Sequence, residues 1–249
     1  MDKIAKKLVN QLASKFGYTI FPTWRLESFE LATHLSKVFE RYEVTTVFDV
    51  GANAGQYHDF LREQVGFAGK IYSFEPLPDL ATALKLRQAD DPLWEIHNCG
   101  LGSSNGELTL NVMARRTFSS FRQPASDNCP DFSASNTVVD RVKVPVRRLD
   151  DLFPREDLKR QSCYLKVDTQ GFDLEVLRGA PELLKLTKAL QFELAVQHLY
   201  SEVPSYKDML GIVEGMGFSL SGLFPVCQDS DFRAVEFDCV MVKNTVLPS

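Results

Sequence analysis

The sequence predicts an α/β protein built on an open, mostly parallel sheet with helices on both faces. Three observations carry that prediction. The stretch Thr45 to Leu61, TTVFDVGANAGQYHDFL, runs from an apolar strand through a small-residue turn into a helix, and such a turn lets backbone approach a ligand closely. From Thr45 to Val196, short apolar runs alternate with helical patterns, the signature of parallel strands joined by crossover helices. Glu75 ends the second apolar run about twenty residues beyond Gly55, where nucleotide-binding α/β folds place the carboxylate that accepts ribose hydroxyls.

In chain order, Ile4, Leu8, Leu12 and Phe16 recur at steps of four among Lys3, Lys6, Lys7 and Lys15, which predicts an amphipathic helix over Met1 to Phe16. It is expected to pack on the domain; a basic amphipathic helix also suits an anionic membrane surface. Trp24 to Arg41 is a second helix, with Leu31, Leu35, Val38 and Phe39 on one face. These N-terminal helices form an extension, residues 1–41, and residues 42–249 form one large domain. Its strands are expected at Thr45 to Val50, Lys70 to Glu75, Leu93 to Cys99, Cys163 to Asp168 and Leu190 to Val196. Helices fill Gln56 to Val65, Pro78 to Gln88 and Asp173 to Leu186, with Pro78 in a first turn where its missing donor is harmless. ELTLNVM and VVDRVKVPV, between Glu107 and Val146, alternate like an inserted β hairpin. The polar stretch Ala114 to Thr137 between them is long enough to be a substrate lid or a mobile surface loop. A helix over Ser205 to Met216, stopped by Gly217, leads to a final strand at Ala234 to Val242, read as antiparallel.

Bulk composition narrows the function classes. The chain has 249 residues, 44% hydrophobic and 24% charged, with net charge −5. No Lys/Arg stripe is interleaved with aromatics, so a nucleic-acid partner is not expected. No apolar run approaches the roughly 18 residues that span a bilayer. Five scattered cysteines without a CxxC pair argue for free thiols and a reducing, cytoplasmic setting.

The turn itself separates nucleotide types. A dinucleotide fingerprint reads GxGxxG, whereas this turn is Gly51-Ala52-Asn53-Ala54-Gly55, with Asn in place of the second Gly. Asp49, just before the first glycine, would repel a diphosphate but suits a ligand bearing an ammonium and a sulfonium, which favours S-adenosylmethionine. The plainer alternative is that Asp49 and Asn53 build an Asx turn at the strand end.

Four segments together resemble the FkbM family of S-adenosylmethionine-dependent methyltransferases: VFDVGANAGQY (Val47 to Tyr57), SFEP (Ser73 to Pro76), YLKVDTQGFDLEVLRGA (Tyr164 to Ala180) and LQFELAVQHLY (Leu190 to Tyr200). The likeness covers residues 45 to 242. It implies a class I methyltransferase (Rossmann-like) sheet and the cofactor S-adenosylmethionine. It further implies that Asp49, Gly51, Asn53 and Gly55 line the methionine end, that Glu75 holds the ribose with Pro76 and Leu77 beside the adenosine, and that Asn98, Cys99, Gly100 and Leu101 contact adenine. Where the family is expected to read DxEGxE, this chain has Asp168, Gln170, Gly171 and Asp173, so a metal or base role at the last two acidic positions is not carried over, and no metal is expected.

For a hydroxyl acceptor, transfer needs alignment and proton removal. Asp168 closes the fourth strand at the carboxyl edge, where open α/β folds bind ligands, with Lys166 one pleat away. That pair is either catalytic or a structural ion pair at a strand end. Glu193 is an acid inside an apolar strand, which is costly unless paired or used. His198 follows on the next loop with a pKa suited to a general base. The resulting expectation is methyl transfer to a hydroxyl of a sugar, glycolipid or polyketide-like small molecule. A nicotinamide-dependent oxidoreductase would need GxGxxG and a Tyr-x-x-x-Lys pair, both absent; a non-catalytic module would bind the cofactor without turnover. No Asn-Pro-Pro-Tyr type motif follows the fourth strand, which weighs against amino-group acceptors of nucleic acid or protein.

Overall fold

The structure, a computed structural model, describes residues 12–13, 15–18, 20, 22–125, 132 and 134–244. Most of the expected helix over 1–16 lies outside them, as does part of the 114–137 stretch.

The expected parallel strands form as β1 (Thr46–Val50), β2 (Lys70–Phe74), β3 (Trp94–His97), β7 (Cys163–Val167) and β8 (Thr187–Ala195). With β9 (Phe218–Gln228) and β10 (Ala234–Lys243) they make a seven-stranded sheet in the order β3-β2-β1-β7-β8-β10-β9. The pairs β1–β2, β1–β7, β2–β3 and β7–β8 are parallel, and β10 runs antiparallel to both neighbours, as the C-terminal pattern predicted. Alternation along each strand splits the core in two. Phe48, Leu165, Phe192 and Met241 belong to one apolar cluster, and Val47, Tyr164, Ala189 and Val240 to the other. The second cluster takes Leu35 and Phe39 from helix α1 (Phe29–Arg41), whose amphipathic stripe is thereby buried.

Several boundaries differ from the sequence reading. The helix expected from Trp24 starts at Phe29, after a 3-10 turn at Thr23–Arg25. The helix after the glycine turn is α-helical only as α2 (Gln56–Phe60); Leu61–Val65 is a π turn that ends at Gly66 with φ 78°. Helix α3 spans Pro78–Gln88 as expected. The third strand stops at His97, and Gly100–Leu101 leaves it as β4 to join a second sheet with β5 (Gly106–Met113) and β6 (Val138–Arg147), ordered β4-β6-β5. That sheet contains the expected hairpin, with β5 and β6 antiparallel. Two short helices, α4 (Leu149–Leu152) and α5 (Arg155–Leu158), lead to β7. The helix expected over Asp173 to Leu186 is two, α6 (Asp173–Arg178) and α7 (Pro181–Leu186), because Pro181 can open a helix but not continue one. Helix α8 (Tyr206–Gly215) is capped by Ser205, whose hydroxyl accepts from the Asp208 N–H at 3.2 Å. Among the described residues no helix is long and apolar enough to cross a membrane, and Cys99, Cys163 and Cys239 are buried free thiols.

Candidate functional site

Chain order reverses between β1 and β7: from β1 the next strand lies on one side, from β7 on the other. Open α/β sheets bind ligands at the carboxyl ends of such strands, and a cavity of about 550 Å³ opens there. Its floor is made where the two loops meet. The Asp168 N–H donates to the Val50 carbonyl at 3.0 Å, and a Cβ on Gly51 would lie 1.9 Å from the Asp168 carbonyl oxygen. Gly51 therefore has to be glycine on two counts, this contact and its φ of 84°.

The turn is held by its backbone. The N–H groups of Gly51 and Ala52 both donate to the Phe74 carbonyl, at 3.1 and 3.0 Å, which ties the turn to the end of β2. Asn53 has φ 48° and Gly55 φ 87°. Glu75 follows β2 and is 5% exposed. Its Oε2 accepts from the Asn53 N–H and its Oε1 from the Leu77 N–H, each at 2.8 Å. Burial pushes this carboxyl up to about 7 despite those two donors. A carboxylate has about four acceptor positions, so each oxygen keeps one for a hydroxyl. Asn98 spans the next loop, its amide donating to the carbonyls of Glu75 (2.9 Å) and Pro76 (3.1 Å).

The other half of the cavity is acidic. Lys166, 5% exposed, sits 3.2 Å from Asp49 Oδ1, 3.3 Å from Asp168 Oδ2 and 5.0 Å above the centre of the Tyr57 ring. Burial opposes its charge, but Asp168 and Asp49 outweigh burial and hold its pKa above the ordinary lysine value. Asp49 also accepts from the Ser73 hydroxyl at 2.9 Å. Gln170 lies between two carboxyls: its Nε2 donates to Asp168 Oδ1 at 3.1 Å and to Glu193 Oε2 at 2.6 Å. The two carboxyls on Nε2 orient the amide, with the Tyr200 hydroxyl 2.9 Å from Gln170 Oε1; its one proton goes to the nearer Phe118 carbonyl, at 2.7 Å. Glu193 is driven well above the usual carboxyl range by burial and by the charges of Asp168, Glu236, Asp173 and Asp238. Burial likewise raises Glu236 to about 7 and Asp238 to about 6.

Of the expected cofactor residues, Gly51, Asn53, Glu75, Pro76, Cys99, Gly100 and Leu101 line this cavity. Asp49, Gly55 and Asn98 do not: Asp49 lies under the floor, its carboxylate taken up by Ser73 and Lys166, while Asn98 braces the loop. Gly55 packs instead toward Arg87, Leu84 and Trp94. Of the expected catalytic residues, Lys166, Asp168 and Glu193 line the cavity together. His198 is exposed and lines a separate small pocket, not this cavity, because the chain turns outward after β8 before Leu199 and Tyr200 return to the interior. Sequence reasoning missed Glu236 and Asp238 as lining residues. The signal was available, since both acids interrupt the apolar run AVEFDCVMV two residues apart, as Glu193 interrupts LQFELAV.

The donor set fits the expected cofactor. Glu75 offers paired acceptors for a vicinal diol, the apolar wall of Leu77, Leu80, Leu101 and Leu110 suits a purine, and the acidic floor suits a cationic centre. Among the described residues no group of three or more His, Cys, Asp or Glu side chains could hold a metal ion.

Comparison with known proteins gives the family. A family model described as the methyltransferase FkbM domain matches residues 49–220. The chain is 31% identical over 158 residues to the methyltransferase sdnD of Sordaria araneosa, a match covering 55% of this chain and 60% of that protein. It thus spans less than two thirds of this curated relative's length. Among solved structures it resembles the O-methyltransferase TomG of Streptomyces achromogenes, with 13% identity, TM-score 0.47, and 98% and 92% of the two chains covered. It also resembles magnesium protoporphyrin IX methyltransferase of Synechocystis PCC 6803, with 10% identity, TM-score 0.47, and 98% of each chain covered.

Proposed function

The chain belongs to the FkbM methyltransferase family, and from that premise we propose that it transfers a methyl group from S-adenosylmethionine to a hydroxyl of a sugar, glycolipid or polyketide-like small molecule. The observation that carries this reading is the position of Asp168, on the lining between the turn that faces Glu75 and the acidic half of the cavity, with Lys166 and Gln170 on its two oxygens. Bound in the cavity, the cofactor supplies an electrophilic methyl group on a sulfonium. Glu75 accepts hydrogen bonds from the two ribose hydroxyls, Gly51 and Asn53 face the methionine end, and Cys99 to Leu101 face adenine. Asp168 takes the proton of the acceptor hydroxyl while Lys166 and Gln170 hold its carboxylate in place, the arrangement a general base requires. Glu193, which shares the Gln170 amide, accepts a further hydrogen bond from the acceptor. His198, outside the cavity lining, has no part in the proposal.

Calorimetry with S-adenosylhomocysteine against NAD tests the cofactor assignment. S-Adenosylhomocysteine is expected to bind the wild type and to lose measurable binding in Glu75→Ala; binding of NAD alone would sink the reading. A panel of hydroxylated acceptors, followed by S-adenosylhomocysteine release, then tests the base. Asp168→Asn is expected to lower turnover about 100-fold or more, with cofactor affinity retained. Unchanged turnover would remove Asp168 from that role.

A further inference from the structure

The residues that follow β5, 115–119 and 121, line the cavity between the Glu75 loop and the acidic side. On the acidic side this stretch is fastened by protected bonds. Ser120 exchanges backbone hydrogen bonds with Asn111 at 2.9 and 3.1 Å, its hydroxyl donates to the Gln170 carbonyl at 2.6 Å, and the Tyr200 hydroxyl is 2.7 Å from the Phe118 carbonyl. Ser120 and Tyr200 are both buried. On the opposite side, over the loop that carries Glu75, the fastening is of another kind. Arg116, in a 3-10 turn at Arg116–Phe118, makes a two-pronged bond to Asp79 in the first turn of α3, at 2.5 and 2.9 Å. Both side chains stand at the rim, 43% and 60% exposed. Arg116 is also close enough to Glu75 for their charges to affect one another. Between the two fastenings Phe121 lies on Gly100, where a Cβ would come within 2.7 Å of the ring. Arg116, Phe121, Glu75 and Gly100 all line the cavity.

We infer that residues 115–121 complete the cofactor site: Arg116, latched to Asp79, and Phe121, seated on Gly100, hold the nucleoside end of the bound cofactor. The inference rests on the reading of Glu75 and residues 99–101 as that end. It goes beyond that reading by assigning cofactor retention to a part of the chain outside the parallel sheet. A ligand leaving past Glu75 has to part the Arg116–Asp79 bond, which is the exposed tie, while the buried ties at Ser120 and Tyr200 stay made. An exposed ion pair is usually weak; this one has the two-pronged Arg–carboxylate geometry that is the stronger form.

The test is the association and dissociation of S-adenosylhomocysteine, measured by surface plasmon resonance on the whole chain. Arg116→Gln and Asp79→Asn are each expected to speed dissociation roughly fivefold, the upper range for an exposed pair. The double variant should be no faster than either single one, because one bond is removed in each case. Raising salt should speed dissociation from the wild type and leave Arg116→Gln unaffected. Phe121→Ala should speed dissociation independently, multiplying the effect of Arg116→Gln. Wild-type rates in both rim variants overturn the latch, as do effects of the two that multiply. A wild-type rate in Phe121→Ala overturns the role of the ring. Failure of the wild type to bind S-adenosylhomocysteine at all would instead overturn the cofactor reading itself.

Discussion

Lys166 shows how a single buried charge ties fold to site. Its ammonium is shared by Asp49, fully buried, and Asp168, which is partly open to the cavity. Removing one partner of a buried ion pair leaves the other charge uncompensated, which costs about 3–5 kcal/mol, whereas an exposed pair is worth about 0–1 kcal/mol. Lys166→Met should therefore lower unfolding stability by about 3–5 kcal/mol. Arg178→Ala, which breaks the more exposed pair with Glu175, should lower it by less than about 1 kcal/mol. Urea titration of both variants measures the difference, and equal costs would show that Lys166 is solvated more than its surroundings allow. Lys166 holds the floor through Asp49, and Asp168 keeps Oδ1 toward Gln170 at the cavity wall.

At the level of elements, the junction of α6 and α7 is a close backbone contact with the loop after β4. Gly179 ends α6, and a Cβ there would lie 2.0 Å from the Gly102 carbonyl, just beyond β4. Its φ of −82° is open to any residue, so the constraint is close approach. Gly179→Ala should force the pair apart and cost about 1–3 kcal/mol, the usual range for overpacking, whereas Gly106→Ala, with open space around it, should cost less. Thermal melts of the two variants compare them directly. This junction also shows what the sequence made legible. Strands β1, β2, β7 and β8 were readable because a buried parallel strand is a mostly apolar run with few polar interruptions, and the glycine turn because its backbone conformation excludes most side chains. The break at Pro181 could have been read from the proline itself, whereas the departure of Gly100–Leu101 into the second sheet and the close approach at Gly179 were not readable. Both depend on which distant backbone the chain meets, Gly102 for Gly179 and Arg147 for Leu101, and local periodicity carries no trace of that partner. For the same reason Glu193 was legible as a costly acid in an apolar strand, while its alignment with Glu236 and Asp238 follows only from the antiparallel pairing of β8 with β10.

The molecule as a whole carries this cost as a pH dependence. Burial raises Glu75 and Glu236 to about 7, Asp173 and Asp238 to about 6, and Glu193 well above its ordinary range. All five take up protons on folding between about pH 4.5 and 7, so the folded state binds more protons than the unfolded one and loses stability as pH rises through that window. The carboxyls held low by partners, Asp91 and Asp229 at about 2 among them, have given their full stabilisation before it begins. Two groups oppose the trend: His34 and His97, lowered mainly by burial, favour the folded state more as pH rises toward 6.5. Five carboxyls against two partly buried imidazoles leave a net loss, so the ligand-free melting temperature should fall between pH 5.5 and 8, by roughly 2–4 °C for each kcal/mol lost. S-Adenosylhomocysteine should act in the opposite sense. If Glu75 holds the ribose as proposed, its ionised form can accept from both hydroxyls and its protonated form less well, so affinity should rise with pH until Glu75 is ionised near pH 7. Ligand binding stabilises in proportion to the logarithm of concentration over Kd, so the gap between free and saturated melting temperatures should widen from pH 5.5 to 8. In Glu75→Gln the carboxyl that links the two effects is gone, and the gap should become nearly independent of pH; a gap that still widened in that variant would place the titrating group elsewhere in the cavity.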